Sequence, residues 1–159
     1  MKTAIVYYSY EGSCALVAEK TAQALKADLY RIKTIDNRKR KGLAKYLWGG
    51  GQVFRHILPP LLPLELDAGK YDLVVLGTPV WAGSPAPAMV SFLSKNKITG
   101  KKLALYCCHE GGKGKVFEKL KALLSGNTVV AEKDFVKTSK KDPSALEQEI
   151  AGWVKTFNS

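Results

Sequence analysis

Apolar and polar positions along the chain follow two alternating periods. Short, nearly continuous apolar runs occur at 3–8, 71–77 and 101–108, which is typical of strands buried on both faces of a sheet. Two further runs of strand length, 28–33 and 128–137, carry more polar residues. The pattern therefore predicts five strands, with the three apolar ones inside a sheet and the two polar ones at its edges.

Between these runs, the spacing changes to that of helices. The stripe after the first strand falls at i, i+3, i+4, i+7, i+8 and i+11 and consists of Cys14, Val17, Ala18, Thr21, Ala22 and Leu25. A second helix is predicted over 85–94, where prolines occupy the tolerated first turn. A third begins near Val116 and ends before Gly126. A fourth begins with Asp142 and Pro143, which suit an N-cap and a first helical position.

Strands that alternate with helices indicate βαβ units and a parallel sheet. We therefore predict an α/β fold, a doubly wound five-stranded parallel sheet with helices on both faces, in a single domain over 1–159. Polar edge strands fit the order 2-1-3-4-5, which places the topological switch point between the first and third strands. The segment 34–70 is longer than one crossover needs, and we predict a helix over 41–56 followed by an extended, proline-rich stretch.

The composition, 46% hydrophobic and 25% charged residues, is that of an ordinary globular protein. No apolar run reaches the roughly eighteen residues of a membrane span. The N-terminal residues resemble a strand and lack a small-residue cleavage site, so we expect a cytoplasmic protein. The three cysteines, at 14, 107 and 108, form no Cys-x-x-Cys pair, and we expect buried, reduced thiols with neither a disulfide framework nor a metal site.

Three loops follow the apolar strands, and ligands of doubly wound sheets bind where such loops meet. The first, 9–14, reads SYEGSC, and its glycine and the hydroxyls of Ser9 and Ser13 precede a helix. Free amide hydrogens and the positive end of the helix dipole suit such a turn to one phosphate group, although helix capping without a ligand explains it equally well. The loop matches neither the nucleoside triphosphate loop nor the dinucleotide fingerprint.

The second loop, 78–84, holds Trp81 between two glycines. This indole is either a rim residue that covers the core or an aromatic wall for a planar ligand. The third loop, 109–114, reads HEGGKG, and its glycines either bring the backbone close to a ligand or simply turn the chain. His109 is more typical of a hydrogen-bonded residue at a strand end than of a catalytic base, and no nucleophile motif accompanies it.

Two stretches resemble the flavodoxin-like FMN-binding family. YYSYEGSCALVAEKTA (7–22) is similar to the phosphate loop of that family, and GTPVWAGSPAPAMVSFL (77–93) resembles its isoalloxazine loop. The resemblance implies noncovalently bound FMN as cofactor, with the phosphate on the first loop, Trp81 stacked on the ring and the third loop opposite. The residues that it assigns to FMN are Ser9, Tyr10, Glu11, Gly12, Ser13, Cys14, Thr78, Pro79, Val80, Trp81, Ala82, Gly83, His109, Glu110, Gly111, Gly112 and Gly114.

The sequence departs from the family pattern at three positions of the first loop. Cys14 stands where the family prefers Thr, the Glu11 carboxylate must point away from a phosphate, and Tyr10 either closes over the phosphate or blocks it. The third loop also lacks an aromatic residue, so the ring would be stacked on one side only.

The resemblance implies electron transfer through a bound flavin. A small NAD(P)H- or quinone-linked FMN oxidoreductase and a flavin-free binding module are the alternatives. Flavodoxins that carry electrons tend to be acidic, whereas this chain has a formal net charge of +11, which favours an acidic redox partner protein.

The basic run 38–41, next to Tyr46 and Trp48, is the best candidate for nucleic-acid binding. The remaining lysines scatter along the chain, so we expect a solvated loop face rather than a nucleic-acid site. Apolar residues in the same segment either cover the sheet or form a dimer contact, namely Leu47, Trp48, Val53, Phe54 and Ile57.

Overall fold

The computed structural model describes residues 1–36, 48–51 and 58–158. Its strands are β1 (Thr3–Tyr7), β2 (Asp28–Arg31), β3 (Leu73–Trp81), β4 (Ser84–Pro85), β5 (Lys102–His109) and β6 (Thr128–Val136). Its α-helices are α1 (Ser13–Leu25), α2 (Pro87–Lys95), α3 (Val116–Leu123) and α4 (Pro143–Lys155). Short 3-10 helices cover Ala68–Lys70, Thr138–Lys140 and Thr156–Asn158.

Five of these strands form one parallel sheet in the order β2-β1-β3-β5-β6. This is the predicted order, with the two polar strands at the edges. The exposed and half-buried residues of β2 contrast with the fully buried β1, because an edge strand packs against one neighbour only. The doubly wound α/β prediction is therefore confirmed.

The helices cover both faces of the sheet. Helices α2 and α3 pack on one face, where Met89, Phe92 and Leu120 join a cluster with Val74 and Leu105. Helices α1 and α4 pack on the other face and contribute to a second cluster, with Val17, Ala18, Leu146, Ile150 and Trp153. Cys107 and Cys108 belong to opposite clusters, since successive side chains of a strand point to opposite faces.

The main error of the sequence prediction concerns the end of the third strand. We expected it to end at 77, with Trp81 in the following turn, but β3 continues to Trp81. It is extended because β4 returns antiparallel to it and pairs Trp81 with Ser84. The two-residue connection, Ala82 and Gly83, has positive φ at both positions, 50° and 68°, as in the type I′ turn that joins strands most tightly.

The segment between β2 and β3 is described only in part. Most of the predicted helix over 41–56, the basic run 38–41, and the residues Tyr46, Leu47, Val53, Phe54 and Ile57 lie outside the described residues. Residues 48–51 are helical. The extended stretch after 58 pairs with the chain beyond β2, through the bridge between Thr34 and Leu61.

Within the described ranges, none of the helices combines the length and apolar character needed to cross a membrane.

The cap of α4 provides a test of the helix prediction. The Asp142 carboxylate accepts a hydrogen bond of 3.2 Å from the amide of Ala145, and Pro143 follows at the first helical position. Because loss of such a cap costs about 1 kcal/mol, we expect Asp142→Ala to lower the free energy of unfolding by about that amount. Asp142→Asn keeps an acceptor and should cost less. Equal losses for the two variants in urea unfolding would contradict this role.

Candidate functional site

The loops that follow β3 and β5 touch each other at the carboxyl end of the sheet. The Lys115 amide donates a hydrogen bond of 2.9 Å to the Gly83 carbonyl. Gly114 lies so close that a Cβ on it would come within 2.4 Å of the Gly83 Cα. The structure thus brings together two of the three loops that the sequence singles out.

The first loop is organised by Ser9 and the start of α1. The buried Ser9 hydroxyl oxygen accepts hydrogen bonds of 3.2 Å from the amides of Gly12 and Ala15, which leaves its hydrogen available to donate. Ser13 and Cys14 begin α1, and amides of a first helical turn have no acceptor within the helix. The loop therefore presents amide and hydroxyl hydrogens at the positive end of a helix dipole.

The Cys14 side chain lies in the core and not in the first loop. The thiol is buried in the core cluster of α1 and α4, beside Cys108. Burial raises its pKa well above the ordinary value, so it is a neutral thiol. Of Cys14, only the backbone amide can serve a ligand in the loop. Glu11, by contrast, is exposed.

Trp81 is half-buried within an aromatic cluster. Its ring makes edge-to-face contacts with Tyr8, Tyr10 and Trp48, with centroids 6.0, 5.5 and 5.4 Å away. The helical stretch 48–51 lies against the indole, since a Cβ on Gly49 would meet its benzene ring at 3.4 Å. One face of Trp81 is therefore covered within the protein itself.

Sequence reasoning missed this cluster because its members come from three separate segments. The one available signal is the spacing of Tyr8 and Tyr10, which lie two residues apart in extended chain and so share a face. The ring of Tyr10 packs 5.7 Å from that of Trp48, so it belongs beside Trp81 rather than over the first loop's amides.

Thr78, which the sequence assigns to the ligand, has its side chain engaged elsewhere. It is fully buried, and its hydroxyl oxygen accepts a 3.0 Å hydrogen bond from the Ala86 amide. This bond ties the start of α2 to β3. Pro79 and Val80 of the same strand are half-buried, and Ala82 in the turn that follows is exposed.

His109 organises the third loop. One ring nitrogen, Nδ1, accepts a 3.0 Å hydrogen bond from the Gly112 amide, and the other, Nε2, lies 2.9 Å from the Asp134 carboxylate. With both nitrogens engaged, His109 serves as a structural residue of the strand end. Glu110, next to it, is exposed and pairs with Lys140 at 3.7 Å. Glycines 111, 112 and 114 are exposed.

Asp134 is a site-supporting residue that the sequence did not suggest, because it lies on β6, far along the chain. The hydrogen bond from His109 lowers the pKa of its carboxyl, and Lys113 adds to this effect.

A lowered pKa makes this contact sensitive to acid. The folded protein favours the ionised form of Asp134 more than the unfolded chain does. The contact therefore stabilises the fold above the ordinary carboxyl pKa of about 3.9. That stability is lost as the pH falls through the lower folded value. We therefore expect Asp134→Asn to reduce the free energy of unfolding at pH 6, and the difference from wild type to shrink between about pH 4 and pH 2. Urea unfolding across this range measures it, and a difference independent of pH would contradict the assignment.

Solved structures share this architecture over nearly their whole length. A flavoprotein of Lactobacillus acidophilus NCFM, crystallised in complex with FMN, is 23% identical with a TM-score of 0.74 and coverage of 96% of this chain and 98% of the other. A WrbA-like flavodoxin of Agrobacterium tumefaciens is 16% identical with a TM-score of 0.61, and the match covers 99% of this chain and 95% of the other. Oxidised flavodoxin 1 of Bacillus cereus is 16% identical with a TM-score of 0.55, and the match covers 98% of both chains.

The chain has the flavodoxin-like fold. Identities this low compare folds rather than activities, and neither a protein-family model nor a curated protein sequence matches the chain. In the flavodoxin-like fold, the switch point lies between β1 and β3, which is where the first two loops leave the sheet.

Proposed function

We propose that the chain binds FMN noncovalently at the three loops and transfers electrons through it. The observation that carries this proposal is the first turn of α1, where Ser9 keeps a hydroxyl hydrogen to donate and the amides of Ser13 and Cys14 have no acceptor within the helix. The similarity of the chain to a flavoprotein crystallised with FMN supports the choice of ligand.

The residues present suit a phosphate group. A dianion at the start of α1 is stabilised by the helix dipole and by short hydrogen bonds from neutral donors. Among the residues assigned here, Ser9, Ser13 and Cys14 would hold it, the last through its backbone only, while Gly12, whose amide is bonded to Ser9, would turn the chain. Glu11 is exposed, so its carboxylate need not face the phosphate.

The flavin ring would lie between the second and third loops. Gly49 covers one face of Trp81, so the opposite face is the one left for stacking. Thr78, Pro79, Val80, Ala82 and Gly83 would then border the ring through backbone groups. The residues of the third loop would border it from the other side, namely His109, Glu110, Gly111, Gly112 and Gly114.

Bound FMN supplies the redox chemistry, and the protein positions it and limits its contact with water. The loop residues offer little acid–base chemistry of their own. Both nitrogens of His109 are hydrogen-bonded, and burial raises the pKa of the Cys107 thiol to about 12. This favours an electron carrier over an oxidoreductase that must transfer protons to a substrate.

A small NAD(P)H- or quinone-linked FMN oxidoreductase remains the alternative enzyme. A planar acceptor would use the aromatic cluster around Trp81. A flavin-free binding module is the second alternative, and the packing of Tyr8, Tyr10 and Trp48 around that indole is the observation in its favour.

The net charge of +11 suggests an acidic redox partner protein, because opposite charge speeds the encounter of two proteins. We also infer a cytoplasmic location, since the three cysteines are unpaired and buried, as is usual in a reducing compartment.

Reduction of the FMN-loaded protein distinguishes these functions. We expect photoreduced protein to pass electrons rapidly to an acidic acceptor protein, at a rate that falls steeply with salt, and to show no steady turnover of NADH or NADPH. Steady NAD(P)H oxidation with a quinone would favour the oxidoreductase. Failure to retain FMN would favour the binding module.

A further inference from the structure

A cleft of about 280 Å³ lies at the carboxyl ends of β1 and β2. We call it the β2 cleft. In the sheet, β1 separates β2 from β3, so the β2 cleft opens on the opposite side of β1 from the loops that follow β3 and β5. It shares Ser9 and Tyr10 with the proposed flavin site, and its residues Tyr8, Thr34 and Asp36 also line a small cavity beside Trp81.

The walls of the β2 cleft are held by the pairing of two chain segments. The Leu62 amide donates a 2.8 Å hydrogen bond to the Lys33 carbonyl, and the Ile35 amide donates a 3.0 Å bond to the Pro60 carbonyl. The Thr34 hydroxyl donates a further 2.6 Å bond to the Asp36 carbonyl. A cleft that is already ordered spares a ligand the cost of ordering it.

The β2 cleft carries net positive charge. Arg31 and Lys33 both line it, against the single carboxylate of Asp36. The Arg31 guanidinium lies over the Tyr7 ring at 5.9 Å and only 3.5 Å from the Ser9 carbonyl, so its contacts are with neutral groups. Among the described residues, neither Arg31 nor Lys33 is ion-paired with a carboxylate. Two cations facing one cleft suit an oxyanion, which arginine binds in a bidentate manner.

The rest of the β2 cleft is apolar. Tyr8 and Ile32 are buried at its base, while Leu62 is 44% exposed at its edge. An inorganic ion would leave this leucine in water, whereas a ligand with an apolar ring would cover it. The volume lies just below the usual range for ligand clefts, about 300–1,000 Å³, and therefore suits a molecule with one ring.

We propose that the β2 cleft binds a small organic oxyanion, a carboxylate or a phosphate monoester with one apolar ring, whose charged group lies between Arg31 and Lys33. This site adjoins the one proposed for FMN, and we expect the two to be occupied independently.

The test uses phenyl phosphate and benzoate as probes, with benzyl alcohol and inorganic phosphate for comparison. Each is titrated into flavin-free, isotope-labelled protein while the amide resonances are followed by NMR, and the titrations are repeated with saturating FMN. At least one of the two ring-bearing anions should give saturable shifts at 31–36, 61 and 62, with and without FMN. Benzyl alcohol and inorganic phosphate should bind at least tenfold more weakly. Which of the two anions binds tighter distinguishes a phosphate ester from a carboxylate.

Paired variants distinguish binding in the β2 cleft from a general effect of the protein's positive charge. Arg31→Gln with Lys33→Gln should weaken binding of the better probe at least tenfold, and Lys33→Gln alone keeps the test available if the pair fails to fold. Lys95→Gln with Lys102→Gln removes the same charge from exposed positions elsewhere and should change binding less than twofold.

Three results of the probe and variant titrations without FMN would overturn the proposal. These are the absence of saturable shifts with both anions, equal losses in the two paired variants, and inorganic phosphate binding as tightly as either ring-bearing anion. Displacement of the probe by FMN would also overturn it, because the β2 cleft would then be part of the flavin site. Failure of FMN itself to bind leaves the probe titrations intact and bears on the proposed function alone.

Discussion

Replacing Ser13 with Asp should weaken FMN binding about 100-fold or more without destabilising the protein. Ser13 is the first residue of α1, and this helix has no acidic residue in its first turn. A carboxylate there would complement the helix dipole and stabilise the fold by about 0.3–1 kcal/mol. The same carboxylate would repel a phosphate held at that turn, and a loss of 100-fold corresponds to about 2.7 kcal/mol of binding free energy.

The opposite signs of these two effects make the Ser13 variant informative. Binding is measured by FMN fluorescence, and stability by urea unfolding of the flavin-free protein. Ser13→Asn, which adds a side chain of similar size without charge, should bind FMN far better than Ser13→Asp does. Comparable FMN affinities for Ser13→Asp and Ser13→Asn would place the phosphate elsewhere.

Replacing Gly114 with Ala should separate the second and third loops and destabilise the fold by about 2–5 kcal/mol. The new Cβ would lie 2.4 Å from the Gly83 Cα and 2.9 Å from its carbonyl oxygen, both backbone atoms that cannot rotate away. Gly114 also has a φ of +53°, a left-handed conformation that costs other residues about 1–2 kcal/mol. Overpacking of a close contact adds about 1–3 kcal/mol.

Gly111 provides a matched control in the same loop. A Cβ on Gly111 would meet nothing within 4 Å, and its φ lies outside the left-handed region. Gly111→Ala should therefore leave the unfolding free energy within about 0.5 kcal/mol of wild type. If both alanine variants behave alike in urea unfolding, the contact between Gly83 and Gly114 does not hold the loops together.

The sheet was predictable because its information is local. Apolar runs such as 71–77 and 101–108 mark buried strands, and polar content marks β2 and β6 as edges. The Asp142–Pro143 start of α4 was equally visible, since capping depends on adjacent residues. Together these features determine the order of the strands and the loops that meet at the switch point. That the described elements form a single domain over 1–159 stays a prediction.

The details of the site depend on contacts between distant residues, which a single sequence does not display. The short strand β4 exists because Ser84 finds a partner in Trp81, and this pairing removed the indole from its predicted turn. The resemblance assigned Cys14 to the phosphate loop, but its side chain packs with the core of α1 and α4, as its place in the apolar stripe predicted. Likewise, Asp134 reaches His109 only through the pairing of β5 with β6. Whether the seventeen assigned loop residues bind FMN stays a prediction.

The claim on which the proposed function depends is that the first turn of α1 binds the phosphate of FMN. The most direct measurement is a titration of FMN with the flavin-free protein, followed by flavin fluorescence. We predict a saturable quenching that ends at one FMN per chain and is reversed by dilution. Fluorescence that stays unchanged, at protein concentrations well above that of FMN, would contradict the claim.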